Sequence, residues 1–332
     1  MKKITCIGYH STGSGAIYDL LLENKKVFNC TPKHECRFIQ DPDGLCDLFF
    51  DLTSNKQRLN NCFSIKRYQQ FVLFYKRWYK KIFGEAWLNI SNDFIKQIGN
   101  IEYNAYWHAD FRLFSKMKYT YYLFKRGLAK IIPFYGKKRP VGHYNYFPNL
   151  VTNYCSLSYD DICNIFNEYI DNLVLSTGFN GNYDYALLDQ LFGTNNISLY
   201  NQFCKDTFVI IVDRDPRDVY VEEVIKLKNH VLPKDPIKFC EHYVDVRKSL
   251  ANELKNKNVL FLNFEDLIYK YDDSVSKICD FLSLNINDFS FKTYFNPDKS
   301  KLNTKTWLNY PQYDEIFKII EQKLNDFLYF RS

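Results

Sequence analysis

The sequence predicts an α/β fold: three layers around a central parallel sheet, of the P-loop nucleotide-binding kind, with a helical insertion. Three observations predict it. The chain opens as strand, glycine loop, helix and strand within its first 30 residues. Two later runs, Thr207–Asp213 (TFVIIVD) and Val259–Asn263 (VLFLN), are continuous and apolar, the pattern of strands buried on both faces. Each run is followed by a helix-like stretch, so strands and helices alternate, as parallel sheets require.

The elements follow in order. Ile4–Gly8 is a short strand, and Ala16–Glu23 is helical with Ile17, Leu20 and Leu21 on one face. Val27–Cys30 is a second strand. A basic, aromatic-rich stretch then reads as helical, in RYQQFVLFYKRWYKKIF and DFRLFSKMKYTYYLFKRGLAKII, with no clear strand between Leu59 and Lys130. Gly136–Pro140 reads as a loop. A helix starts after Ser158 and runs to about Leu175. The strand Thr207–Asp213 leads to a helix from Asp218. After the strand Val259–Asn263, Val275, Ile278, Cys279 and Leu282 recur at helical spacing. We therefore expect one domain over 1–332, with residues 1–55 and 150–332 as a nucleotide-binding core. Residues 56–149 form the insertion and the expected acceptor region.

Composition narrows the class. At 46% hydrophobic residues the chain of 332 can bury a sizeable core, and disorder is excluded. Its ten cysteines are scattered singly, with no CxxC pair, so a zinc or redox site is not expected. That usage fits a reducing compartment. The first residues read as a strand rather than a signal peptide. The longest apolar runs, such as Phe208–Val212, fall far short of the roughly 18 residues a membrane span needs. A cytoplasmic protein with at most peripheral membrane contact is expected. Net charge is +6, but residues 56–139 carry 18 Lys and Arg against 4 Asp and Glu, a local net of +14. Such asymmetry points to an anionic partner.

The glycine loop carries the chemistry. In GYHSTGSGAIYDLLL, Gly8 and Gly13 are spaced as in a phosphate-binding loop, but Ser14 and Gly15 stand where the Walker pattern has Lys and then Ser or Thr. Thr12, Gly13, Ser14, Gly15 and Ala16 still supply a run of amides at a helix N-terminus. Such a loop can cradle one phosphate; it lacks the groups that grip a triphosphate with magnesium. A tight packing turn is the alternative reading. A second motif follows the buried strand: VDRDPRDVYVEEV, residues 212–224. Arg214 falls at the carboxyl end of its strand, where open α/β sheets bind ligands, and a guanidinium there can take a phosphate bidentately.

With these two motifs, the chain resembles the sulfotransferases that use 3′-phosphoadenosine 5′-phosphosulfate (PAPS), of the bacterial carbohydrate or polysaccharide type. Ser11–Ala16 resemble the family's 5′-phosphosulfate loop. Arg214-Asp215-Pro216-Arg217-Asp218-Val219 resemble its 3′-phosphate motif. Phe264–Leu282 and Asn296–Trp307 resemble the strand-and-helix and the late closing loop that follow. The resemblance covers about the first 50 residues and roughly Thr207–Trp307, not the middle. It implies donor contacts from His10, Ser11, Thr12, Gly13, Ser14, Gly15, Ala16, Arg214, Ser300 and Lys301, with PAPS as co-substrate, PAP (adenosine 3′,5′-bisphosphate) as product and no metal.

The chain departs from the family twice. Ser11 stands where a Lys or Arg usually steadies the leaving phosphate. Glu222 stands where a Ser usually follows the arginine by eight residues, so it is expected to point away. Lys33, Lys301 or Arg217 could supply the missing charge.

Sulfuryl transfer needs a base, an in-line acceptor oxygen and donors on the leaving phosphate. In PKHECRFIQDPDGL, residues 32–45, Glu35 matches the base of glycan sulfotransferases, with His34 as runner-up. This loop follows the second strand and is expected beside the phosphate loop. A solvated loop is the alternative. His108 and His143 lie in the acceptor region and read as packed histidines; His230 and His242 receive no role. The function expected is transfer of a sulfuryl group from PAPS to a carbohydrate hydroxyl, with an acceptor that is capsular, anionic or lipid-linked and with no nucleic acid. The alternatives are a P-loop nucleotide kinase, which the missing lysine opposes, and a non-catalytic binder of an anionic polymer through the basic segment.

Overall fold

The protein is described from a computed structural model, over residues 1–105, 108–131, 150–228 and 231–330. Seven strands form in chain order: β1 (Lys3–Gly8), β2 (Val27–Asn29), β3 (Ile101–Ala105), β4 (Leu150–Tyr154), β5 (Tyr185–Asp189), β6 (Thr207–Asp213) and β7 (Val259–Asn263). Five of them make one parallel sheet in the order β2-β5-β1-β6-β7. The chain divides into two compact units, one of residues 1–40, 81–84 and 170–332 and one of residues 41–80 and 85–169.

The first unit holds the sheet. Its strands alternate between two covered faces. Ile4 and Cys6 of β1 pack with Leu187, Ile210 and Val212 under Ile17, Leu20 and Leu21 of the helix Ser14–Leu21 and Val275, Ile278 and Leu282 of the helix Tyr271–Leu282. Lys3, Thr5 and Ile7 point to the opposite face and are equally buried. There the Lys3 ammonium meets Asp171 at 2.7 Å on the helix Tyr159–Ser176 and donates to Lys205 O at 3.1 Å. A buried lysine persists only with such partners. Helices thus cover both faces, as the sequence predicts.

β1, β2, β6 and β7 lie within two residues of their expected positions. β5 is the strand the sequence reading lacks. It pairs with β1 from Lys3↔Ala186 to Cys6↔Asp189 and with β2 on its other side. β5 thus stands between β2 and β1 in the sheet, while the loop after β2 still shares a cleft with the phosphate loop.

The second unit is mostly helical. It starts at Asp41 and ends at Tyr169, so it is wider than the expected insertion of 56–149. It also contains an antiparallel ribbon, β3 with β4, and β3 lies in the stretch from Leu59 to Lys130 read as strand-free. Its aromatics largely fill its own core. The Trp87 indole donates to Val72 O at 3.1 Å, Tyr68 OH donates to Tyr169 OH at 2.9 Å, and Phe94 stacks on Tyr169 at 4.2 Å. Phe74, Met117 and Phe124 remain exposed among its lysines. The expected loop at 136–140 and His143 lie outside the described residues. All ten cysteines but Cys46 are buried, the setting of small apolar core residues. No described helix is long and apolar enough to cross a membrane.

Candidate active site

The loop between β1 and the helix Ser14–Leu21 is wound tightly. His10, Ser11 and Gly13 all have positive φ, at 68°, 47° and 93°. Gly13 needs to be glycine twice over: its φ is left-handed, and a Cβ there would lie 2.4 Å from the Phe264 ring. Gly8 has no room either, because a Cβ would meet Thr12 Oγ1 at 2.3 Å. That hydroxyl is occupied in bracing the loop, accepting from Tyr9 N–H at 3.0 Å. Gly13 caps the helix without any side-chain bond, so the first-turn amides of Ser14 and Gly15 have no intrahelical acceptor. Left-handed turns followed by a helix start form a concavity of N–H groups suited to an anion.

Beside this loop stands Arg214, at the end of β6. It is 6% exposed. Its Nη1 donates to Ser11 O at 2.9 Å, its Nη2 donates to Asn303 O, and the guanidinium lies over the Phe264 ring. Its Nε is buried without a partner among the described residues. Two carboxylates nearby hold the frame. Asp213 takes both Arg247 nitrogens, at 2.7 and 2.6 Å, plus Tyr243 OH. Asp215 takes Arg217, which also pairs with Glu321 at 2.6 Å and lies over Trp307.

Ser11, Gly13, Gly15, Ala16 and Arg214 line one cleft of about 480 Å³, together with Glu222, Phe264 and the segment from Lys292 to Asn303. A second cleft, of about 650 Å³, is lined by Tyr9, His10, Ser11, Thr12 and Ser14. It is faced by Glu35, Arg37, Gln190, Glu223 and His242. Ser11 belongs to both. Residues 197–313, which contain Arg214 and the late segment, match the family model described as Sulfotransferase domain.

That stretch of the chain is similar to a sulfotransferase domain. Two solved structures resemble it at a distance. Sulfotransferase STF9 from Mycobacterium avium is 11% identical, over 98% of this chain and 76% of that one, with a TM-score of 0.36. Sulfotransferase STF1 from Mycobacterium tuberculosis is 10% identical, over 92% and 76%, with a TM-score of 0.33. No curated protein matches the chain.

The residues expected at the donor divide. Ser11, Gly13, Gly15, Ala16, Arg214 and Ser300 line the first cleft. His10, Thr12 and Ser14 line the second instead. Lys301 lines neither; it is exposed and its ammonium lies 5.9 Å from the Tyr269 ring centre. Lys292 and Lys299 take the place expected for it. Arg217 supplies no free charge, since Asp215 and Glu321 consume it. Glu222 does not point away: it lines the first cleft, paired with Lys226 at 3.1 Å.

Glu35 lines the second cleft with Arg37 at 3.8 Å, whereas His34 does not line it. His242, given no role from sequence, does. Sequence reasoning also missed Glu223 and Gln190. Gln190 donates to Ser14 Oγ at 2.8 Å, tying the end of β5 to the loop. Asp189, next to it, is pushed up to about 7 by burial and then by Glu35 and Asp19. It does not line the second cleft.

The residues present fit an adenosine bisphosphate with a sulfuryl group. The loop amides and the left-handed turn suit the 5′-phosphate, and the orphaned Nε of Arg214 is a buried donor awaiting an acceptor. Lys292 and Lys299 add positive charge.

Proposed function

We propose that this protein transfers a sulfuryl group from PAPS to a hydroxyl of a carbohydrate. One observation carries the reading: residues of the phosphate loop line two clefts, and Ser11 lines both. A donor whose phosphosulfate rests on the loop from the first side presents its sulfur toward the second. An acceptor hydroxyl there stands opposite the leaving phosphate, as in-line transfer needs. The loop amides and Lys292 and Lys299 would steady the leaving phosphate.

The second cleft supports a polar acceptor. Its lining of carboxylates, histidines, Arg37, Gln40, Gln190 and Asn195 offers donors and acceptors in number, as sugar hydroxyls require. Glu35 and Glu223 are its two carboxylates, and one of them would take the acceptor proton. The +14 charge of residues 56–139 favours an anionic glycan, free or lipid-linked, and the setting we infer is cytoplasmic, with surface-polysaccharide synthesis as its context.

Thermal stabilisation across a nucleotide panel tests the reading. A ligand of the native state raises its melting temperature. PAP should stabilise strongly and ATP little. Equal stabilisation by both, or magnesium-dependent ATP hydrolysis, would point to the kinase instead.

A further inference from the structure

We propose that Glu223 takes the proton of the acceptor hydroxyl, with Ser11 holding it in place. The inference rests on the donor and acceptor assignment just given. Glu223 is 6% exposed yet lines the second cleft. Its Oε1 accepts the Ser11 hydroxyl. Its Oε2 is buried with no partner among the described residues. A buried carboxylate oxygen left without a donor pays its desolvation uncompensated, so a site that keeps one calls for an occupant that donates. An acceptor hydroxyl in the cleft is such a donor.

The backbone supplies a second, independent sign. The helix that starts at Pro216 continues from Val221 to Leu227 as a π-helix, a rare form that clusters at functional sites. Its two consecutive glutamates face different clefts. Glu222 lines the donor side, neutralised by Lys226, and Glu223 lines the acceptor side. Glu35 is less well placed for the role by the same measures. Its side chain is 53% exposed and leans on Arg37, which suits binding of the acceptor at the cleft surface.

The step balances. The acceptor O–H proton passes to Glu223 Oε2 as the acceptor oxygen forms its bond to sulfur. The bond from sulfur to the 5′-phosphate oxygen breaks, and its electron pair leaves with PAP. Glu223 then returns the proton to solvent. The other titratable or charged groups facing it are Tyr9, His10, Glu35, Arg37 and His242.

The test uses the full chain, with water as the acceptor: single-turnover conversion of PAPS to PAP across pH 5–9, beside calorimetric binding of PAP. Glu223→Gln keeps an oxygen for Ser11 and removes the base. It should slow conversion about 100-fold or more, the share of a positioned base. It should still bind PAP within about threefold of wild type, because Glu223 lines the acceptor cleft and not the donor cleft. Glu35→Gln should slow conversion by less than tenfold. The proposal is overturned if Glu223→Gln converts PAPS within tenfold of wild type, if Glu35→Gln alone shows the large loss, or if wild type binds PAP and leaves PAPS intact. A wild type that binds no PAP overturns the donor assignment itself, a distinct result.

Discussion

Arg214 donates from Nη1 to the carbonyl of Ser11 at 2.9 Å, so the end of β6 holds the phosphate loop directly. The two residues are 203 positions apart in sequence and share one cleft. The arginine serves twice: it fixes a loop residue in a left-handed conformation, and it offers its remaining Nε to a ligand.

This double role separates two effects of mutation. Arg214→Ala should weaken PAP by roughly 10- to 100-fold, the worth of about 1.5–3 kcal/mol for hydrogen bonds to a charged group. Adenosine 5′-phosphosulfate, which lacks the 3′-phosphate, should lose much less. Calorimetric titration of both ligands checks it. Equal losses would mean that Arg214 only shapes the loop.

The two glycines that open the helix Ser14–Leu21 should respond in opposite senses. Gly13→Ala forces a Cβ into Phe264 at a left-handed φ and should cost about 1–3 kcal/mol of stability, as strained backbone does. Gly15 has nothing within 4 Å of an added Cβ, so Gly15→Ala should stabilise the helix by about 0.5–1 kcal/mol. Yet Gly15 lines the donor cleft, and the methyl group would occupy space there. We expect a more stable protein that binds PAP less well. Denaturant melts beside PAP titration read both quantities; tighter PAP binding by Gly15→Ala would remove that residue from the donor site.

A third expectation concerns pH. Glu265 is fully buried, accepts from Asp215 N–H at 2.9 Å, and leaves Oε2 without a partner among the described residues. Burial, with Asp215 and Asp218 nearby, pushes it from 4.5 up to about 8. The folded protein then holds a proton that the unfolded chain has lost. Stability is full below about pH 4.5, declines as pH rises, and has lost this contribution once pH passes about 8. The loss is on the order of 5 kcal/mol. Asp189, raised to about 7, adds a decline of the same sign. Glu265→Gln should flatten the fall in unfolding free energy between pH 5 and 8, and an unchanged slope would exclude Glu265 as its source.

Much of the sheet is legible in the sequence because β6 and β7 are unbroken apolar runs with Val, Ile and Phe. β5 is not, since YALLD is built from Ala and Leu, which favour helices, and only its neighbours in the sheet make it a strand. β3 escapes for a related reason: IEYNA is short, exposed and paired with a strand 45 positions away. At the site, Gly13 and Arg214 are readable because spacing and strand-end position name them. Glu223 and His242 are not. Both sit on stretches that read as ordinary polar helix faces, and only the fold turns those faces toward the phosphate loop.

The late segment should behave as a tethered strap whose anchor is Asp218. That carboxylate is fully buried and accepts three bonds, from Lys305 N–H at 2.9 Å, Thr306 N–H at 2.6 Å and the Thr306 hydroxyl. Thr304 meets Tyr269 OH at 2.7 Å, and Asn303 O receives Arg214. Asp218→Asn keeps the shape but replaces one acceptor oxygen by a donor, which faces N–H groups it cannot serve. We expect about 1–3 kcal/mol of lost stability and a locally opened segment. Limited trypsin digestion should then cut faster after Lys299, Lys301 or Lys305, and PAP should slow that cutting, since the same segment lines the donor cleft. Cleavage at the wild-type rate would show that the strap is held by Arg214 and Tyr269 alone.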